Sequence, residues 1–340
     1  MTEPKPLHRE KTAAQPAAPR FWTNAARWAN VLGPVLGLAA IYILFSVIGP
    51  PSFSSSGNLE TIARQTAIVG AAALGMTVIM IAGGIDLSVG SVVALATVAI
   101  AWLLQNSGAS PAVAALGGIA AGLLCGLLSG IFITRLKVVP FIVTLGMMLI
   151  VRGVAKALAH EQKIDAPRTW LGELLATLPP ERAAMLVPPG VWLVVILALL
   201  VAGMLRYTRL GRHIFAVGSN EQTARLCGVP VSRVKLAVYT IGGGFFGLAG
   251  LMMFSRLTVG DPTAAVGLEL DVIAAVVIGG GSLSGGEGSV LGSLVGALIM
   301  SVIRSGCSQM GLDNWVQEVV TGAIIVVAVA LDGLRHRKAG

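Results

Sequence analysis

Ten apolar stretches, at 31–49, 61–82, 88–105, 111–134, 138–159, 190–205, 236–255, 266–280, 289–304 and 315–331, fill most of this 340-residue chain. Roughly 20 apolar residues in a helix cross the hydrocarbon core of a bilayer. Lipid offers no partner to free backbone groups, so runs of this length spell transmembrane helices. Only 12% of the residues are charged, against about 25% in an ordinary soluble domain. The expected fold class is an all-α integral membrane protein of about ten transmembrane helices, some interrupted by glycine. The weakest spans are 266–280, short and carrying Glu269 and Asp271, and 289–304.

Charge sets the orientation. The longest polar break, 206–235, holds Arg206, Arg209, Arg212, Arg225, Arg233 and Lys235 against the single acid Glu221. Such an excess marks a cytoplasmic loop, and with an even number of spans both termini lie on that side. The domains expected are a disordered, Pro/Ala-rich cytoplasmic tail over 1–30, a transmembrane permease domain over 31–331 containing the loop 206–235, and a basic tail over 332–340. The net charge of +8 is then a matter of topology, not of nucleic-acid binding. Arg152 and Lys156, four apart near a span end, are expected to snorkel to lipid headgroups. Thr169 to Leu175, in the outer segment 160–189, reads as a short helix on the membrane surface.

Within 206–235, Ser219 and Asn220 offer an N-cap, Ser219 and Gln222 have capping-box spacing, and Gly228 followed by Pro230 is a stop signal. One short helix, about Glu221 to Cys227, is expected there. Too short to be stable alone, it needs a surface to pack on.

Gly83-Gly84 interrupts the apolar pattern and Asp86 follows it. A helix break at membrane depth must be buried in protein or line a wet cavity. Asp86 has two compatible roles: N-cap of the next span, or contact with a polar solute, since acids at membrane depth are functional candidates. An internal echo links Ile81–Ser91 to Val277–Ser289, and repeated Gly-interrupted halves point to a transporter whose path lies between them. Ser88, Ser91, Ser282 and Ser284, with Thr77 and Thr144, are candidates to line that path beside Gly83, Gly84 and Asp86.

Several chemistries are missing from the sequence. There is no Gly-x-x-x-x-Gly-Lys-Ser/Thr phosphate loop, no Gly-x-Ser-x-Gly elbow and no His-Glu-x-x-His pair. His8, His160, His213 and His336 lie in tails, loops or at a span end, which disfavours a proton relay. Cys125, Cys227 and Cys307 have no metal-ligand spacing. No enzyme, cofactor or metal site is expected in this chain.

Gly84–Ser91 (GIDLSVGS), Gly211–Gly228 (GRHIFAVGSNEQTARLCG) and Ile278–Ser289 (IGGGSLSGGEGS), in that order, resemble the ribose-type permease family of ATP-binding-cassette importers. The likeness runs from about Gly57 to Leu331. It implies the membrane subunit of a bacterial inner-membrane importer for monosaccharides such as ribose, xylose, arabinose or galactose. It also implies three protein partners: a second permease copy, identical or not, a cytoplasmic ATPase that binds ATP and Mg, and a periplasmic sugar-binding protein. By the same resemblance the loop Gly211–Gly228 is the ATPase-coupling segment. Gly211, Gly218, Asn220, Glu221, Ala224, Arg225 and Gly228 are its candidate residues, and Thr223 stands where the family usually has alanine. The alternatives are the same architecture for another solute, such as an autoinducer sugar, a nucleoside or a branched-chain amino acid, and a stand-alone secondary transporter, which would need coupling acids in the spans.

Overall fold

The computed structural model of the protein describes residues 20–179 and 185–337, and it is almost entirely helical. Its helices are α1 (Arg20–Ile48), α2 (Ser56–Ile81), α3 (Val89–Gln105), α4 (Pro111–Leu136), α5 (Pro140–Leu158), α6 (Pro189–Tyr207), α7 (Arg209–Ser219), α8 (Glu221–Leu226), α9 (Val231–Leu257), α10 (Leu268–Ile278), α11 (Val290–Gln309) and α12 (Asn314–Arg337). Two-residue strands β1 (Ile164–Asp165) and β2 (Val259–Gly260) pair antiparallel, Ile164 facing Gly260 and Asp165 facing Val259. Each of the ten apolar stretches falls on a helix. Of the expected tails, residues 1–19 and 338–340 lie outside the described residues, and α1 already runs from Arg20.

Six helices (α2, α4, α5, α6, α9 and α11) are long and apolar enough to cross a membrane, and the apolar parts of α1, α3 and α12 are shorter. The 11 residues of α10 extend only about 16 Å, well short of the roughly 30 Å hydrocarbon core. Where 266–280 reads as a weak span, the structure has a half-length helix.

Burial follows the pattern of apolar residues. From Ala67 to Ile81, α2 is apolar on every side and completely buried, as a helix without a polar face must be. Around it sit α6, α9, α10 and α11. Helices α4 and α9 approach through glycine: a Cβ at Gly122 would stand 2.7 Å from the Gly247 nitrogen, and one at Gly126 would overlap the Tyr239 carbonyl. Small residues give membrane helices this close contact, where dispersion replaces the hydrophobic effect. Leu36, Leu116, Leu149, Leu199 and Val326 point outward, a lipid-facing apolar surface far beyond what a water-exposed protein carries.

Two runs of four helices pack in the same way. Helix α3 packs on α4, α5 and α9, as α10 packs on α11, α12 and α2, and α4 lies on α9 as α11 lies on α2. Direction is reversed between the runs. Helix α2 ends at the α8 end of the bundle, where Ile81 meets Gly286; α9 starts there, directly after α8, and ends beside β2 at the opposite end.

Candidate functional site

The three motifs singled out in the sequence converge at the α8 end. The Gly286 amide donates to the Ile81 carbonyl at 2.9 Å, joining the two chain breaks 82–88 and 279–289. The last turn of α7 wedges between them. A Cβ at Gly218 would overlap the Ile81 carbonyl and stand 2.6 Å from the Gly286 nitrogen; one at Gly285 would sit 2.7 Å from the Gly83 Cα; one at Gly286 would sit 2.6 Å from the Ser219 hydroxyl. Gly83, Gly285 and Gly286 also hold φ of 79°, 85° and 78°, a region where other residues are strained. Backbone fills most of the contact, joined by the Ser219 hydroxyl.

Helix α8 is attached to this junction through Asn220. Asn220 is its N-cap, accepting from the Thr223 amide at 2.8 Å, so the predicted Ser219–Gln222 capping box does not form. Glu221 accepts from Arg225 at 2.9 Å and from Lys235 of α9 at 2.7 Å. The Lys235 hydrogen bond is the main cause that holds the Glu221 carboxyl below the usual glutamate range. Ala224 is buried, and the Val229 amide bonds back to its carbonyl at 3.0 Å across Gly228, at φ 81°. That is the glycine-ended stop the sequence predicts. Thr223, Arg225 and Leu226 are exposed, Leu226 by 88%. The helix expected at 221–227 is α8, but it is not the only one in the described loop, because Arg209–Ser219 is also helical. Its bases dilute the apolar content, yet Leu210, Ile214 and Val217 keep the helical period, Ile214 and Val217 are buried, and Gly211 packs against the Leu205 turn.

Beyond the junction the first break runs into the core. Asp86 is 1% exposed. Its Oδ1 accepts from the Ser88 amide at 2.8 Å and the Ser88 hydroxyl at 2.6 Å. Helix α3 begins at Val89 with Ser88 at its N-cap position, so Asp86 closes a turn ahead of the helix and does not cap it. Its Oδ2 has no partner among the described residues, nor do the buried hydroxyls of Ser91 and Ser129. The Ile85 carbonyl accepts from Thr144 at 3.4 Å and from Tyr239 at 3.5 Å, and the Tyr239 hydroxyl fills the space beside Gly84. Thr77 bonds Ala73 of its own helix and Ser293 of α11. Ser282 is buried and accepts from the Ser284 amide, while Ser284 is exposed at the bundle end. The breaks thus meet through Gly83, Gly285 and Gly286, with Asp86 and Ser88 deeper in the core.

The opposite end carries residues that sequence reasoning passed over. Asp261 Oδ1 accepts from the Thr263 amide at 2.8 Å and its hydroxyl at 2.6 Å, the same turn as Asp86 and Ser88. Its Oδ2 pairs with Lys163 at 3.0 Å. Arg152 does not snorkel; it donates to the Pro262 and Ala264 carbonyls at 2.9 and 2.7 Å. Beside Gly90, at the start of α3, a Cβ would stand 2.5 Å from the Glu269 carboxylate, an acid at a positive helix end. Asp271, buried, pairs with Arg304. The predicted helix at Thr169–Leu175 is a 3-10 turn, Trp170–Leu174, whose Leu171 packs fully buried against the α9 end. The repeated signal Asp-x-Ser/Thr ahead of a short helix, Asp86-Leu87-Ser88 and Asp261-Pro262-Thr263, was the clue available in the sequence.

Comparison with known proteins gives these contacts a context. Residues 58–329 match the family model described as branched-chain amino acid transport system / permease component. The chain is 37% identical over 317 residues to the ribose import permease protein of Escherichia coli K12, covering 93% of this chain and 97% of that protein. It is 39% identical over 302 residues to the ribose import permease protein of Bacillus subtilis, covering 88% and 92%. It is 36% identical over 304 residues to the fructose import permease protein of Rhizobium meliloti, covering 88% and 84%. No solved structure matches the chain.

Proposed function

Because the chain belongs to the family of branched-chain amino acid transport system permease components, we propose that it is the membrane subunit of an ATP-driven importer that carries a monosaccharide across the bacterial inner membrane. Relatives similar over at least 88% of this chain are named for ribose and fructose, which favours a sugar. A dimer of permeases, a cytoplasmic ATPase that binds ATP and Mg, and a periplasmic binding protein complete the machine. In this reading ten helices lie in the membrane, both termini are cytoplasmic, and α2–α5 and α9–α12 are inverted repeats.

One observation carries the mechanism: Gly218 and Ser219, at the end of α7, lie against both chain breaks at once. Exposed Leu226 and Arg225 on α8 suit a groove in the ATPase. When the ATPase closes on ATP, a rigid α7–α8 unit displaces the Ile81–Gly286 link and rocks the repeats past each other. Asp86, Ser88 and Ser91 follow the moving break, and their hydroxyl and carboxyl groups suit a polyhydroxylated solute.

The test is binding-protein-dependent ATP hydrolysis by the reconstituted complex with a panel of pentoses and hexoses. A linker variant with Glu221–Arg225 replaced by Gly/Ser serves as control. Stimulation by a sugar, lost together with ATPase co-purification in the linker variant, is the expected result; normal coupling in that variant overturns the assignment of α8. The family description favours a second reading, a branched-chain amino acid as solute. Leucine, isoleucine and valine belong in the same panel, and stimulation by one of them alone would replace the sugar.

A further inference from the structure

The segment joining α9 to α10 is held by groups from one direction. Lys163 pairs with Asp261, Ile164 and Asp165 form a strand pair with Gly260 and Val259, and Arg152 takes the Pro262 and Ala264 carbonyls. All of these come from α5 and the segment after it. On the other side the Asp261 amide donates to Thr97 of α3 at 3.3 Å. The segment therefore ties α2–α5 to α9–α12 at the end opposite the glycine junction. Both partners in the tie are strained: His160 and Glu161 lie ahead of β1 at φ 49° and 60°, and Thr258 and Ala265 flank the β2 segment at 55° and 60°. Non-glycine residues in this region persist only where surrounding contacts hold them. Here the contacts include an ion pair whose lysine is 66% exposed, the kind that solvent weakens and salt screens. Strain at both ends and a breakable bond in the middle describe a catch, whereas a permanent scaffold would relax its backbone.

We propose that the Asp261 turn and the Lys163 strand form the outer gate of the transport path, a latch that holds this end shut between deliveries of solute. The inference rests on the importer reading above. Release of Lys163 frees Asp261 Oδ2 and lets the two strands part, while the Thr263 bonds keep the turn folded. Asp261 and Lys163 act here as positioning residues, since neither needs to touch the solute.

Two measurements on the full complex in lipid vesicles test the gate. The first is a cross-link. Asp165 and Val259 face each other in the strand pair, where opposed Cα atoms lie about 4.5–5.5 Å apart, within disulfide reach. Asp165→Cys with Val259→Cys is expected to lose solute uptake on oxidation and regain it on reduction, with ATPase co-purification unchanged throughout. The second is loss of the Lys163 charge. Lys163→Glu and Lys163→Ala, which leave the Asp261–Thr263 turn intact, are each expected to raise ATP hydrolysis in the absence of binding protein about fivefold, the scale on which an ion pair shifts a two-state equilibrium. Lys163→Arg, which keeps the charge, is expected to stay within about twofold of the unmodified complex. Undiminished uptake by the oxidised cross-linked complex overturns the gate alone. So does loss of the Lys163 charge that leaves idle hydrolysis unchanged. An unmodified complex that no binding protein stimulates overturns the importer reading, and the gate with it.

Discussion

At the α8 end, Ile81, Gly218 and Gly286 meet through carbonyls, amides and α-carbons; at the β1–β2 end, charged side chains make the contact, Lys163 to Asp261 and Arg152 to the Pro262 and Ala264 carbonyls. Backbone packed on backbone has no rotamers to absorb a push, so in the proposed mechanism a displacement at α7 reaches both breaks. Long charged side chains bend, exchange partners with water and let go. The proposed transport cycle, in which force is received at one end and the other end opens, draws on that division. The same Asp-x-Ser/Thr turn serves both ends, with both carboxylate oxygens occupied at Asp261 and, among the described residues, no partner for Oδ2 at Asp86.

The strongest way to break this comparison is Gly218→Val. A branched side chain has no room against the Ile81 carbonyl and the Gly286 amide, and overpacking costs about 1–3 kcal/mol or more. Solute-stimulated ATP hydrolysis is expected to disappear while the strands at the far end remain able to cross-link. Preserved stimulation would show that the junction transmits nothing.

Arg152→Ala comes next and acts at the other end only. It removes two bonds from a charged donor to the Pro262 and Ala264 carbonyls, about 1.5–3 kcal/mol each. Protease cleavage in 258–267 is expected to rise, with α7–α8 untouched. Arg152→Lys should rescue incompletely, because an ammonium does not reproduce the fork of the guanidinium.

Tyr239→Phe sharpens the comparison from within the core. The lost bond to Ile85 is 3.5 Å long, and its removal is expected to change thermal stability by about 1 kcal/mol or less. A larger loss of uptake than of stability would assign the hydroxyl to the solute path.

Glu221→Gln is the smallest. The Glu221 carboxyl is held below its ordinary value chiefly by the Lys235 hydrogen bond. Its stabilising contribution is therefore complete above the ordinary glutamate pKa and lost as pH falls through the lowered one. The side chain is 40% exposed, so solvent screening limits the effect to about 0.5 kcal/mol. The protection of the α8 amides relative to their intrinsic exchange rates should fall on acidification in the wild type and show no such dependence in the variant.

The helices were legible because apolar runs and lipid leave few alternatives, and the α8 stop was legible because Gly228 and Pro230 are local signals. What lay hidden was tertiary. Nothing in the sequence around Gly218 indicates that Ile81 and Gly286 arrive from 137 and 68 residues away to occupy its missing side chain, though each of the three glycine-rich motifs stood out alone. Arg152 illustrates the limit differently: snorkelling and carbonyl binding demand the same residue at the same depth, and only the position of 262–264 decides between them. Helix α7 was hidden by its own arginines, which made an amphipathic helix look like loop.

The glycine junction also determines which injuries to this protein can be healed. A charge lost at Lys163 can be answered by a new base that reaches Asp261 Oδ2, so a selection for restored growth has second sites to find. A methyl group at Gly218 meets a carbonyl oxygen that no codon change at Ile81 can shrink. Suppressors of damage at one end should scatter across the chain, and those at the other should return, one nucleotide at a time, to glycine.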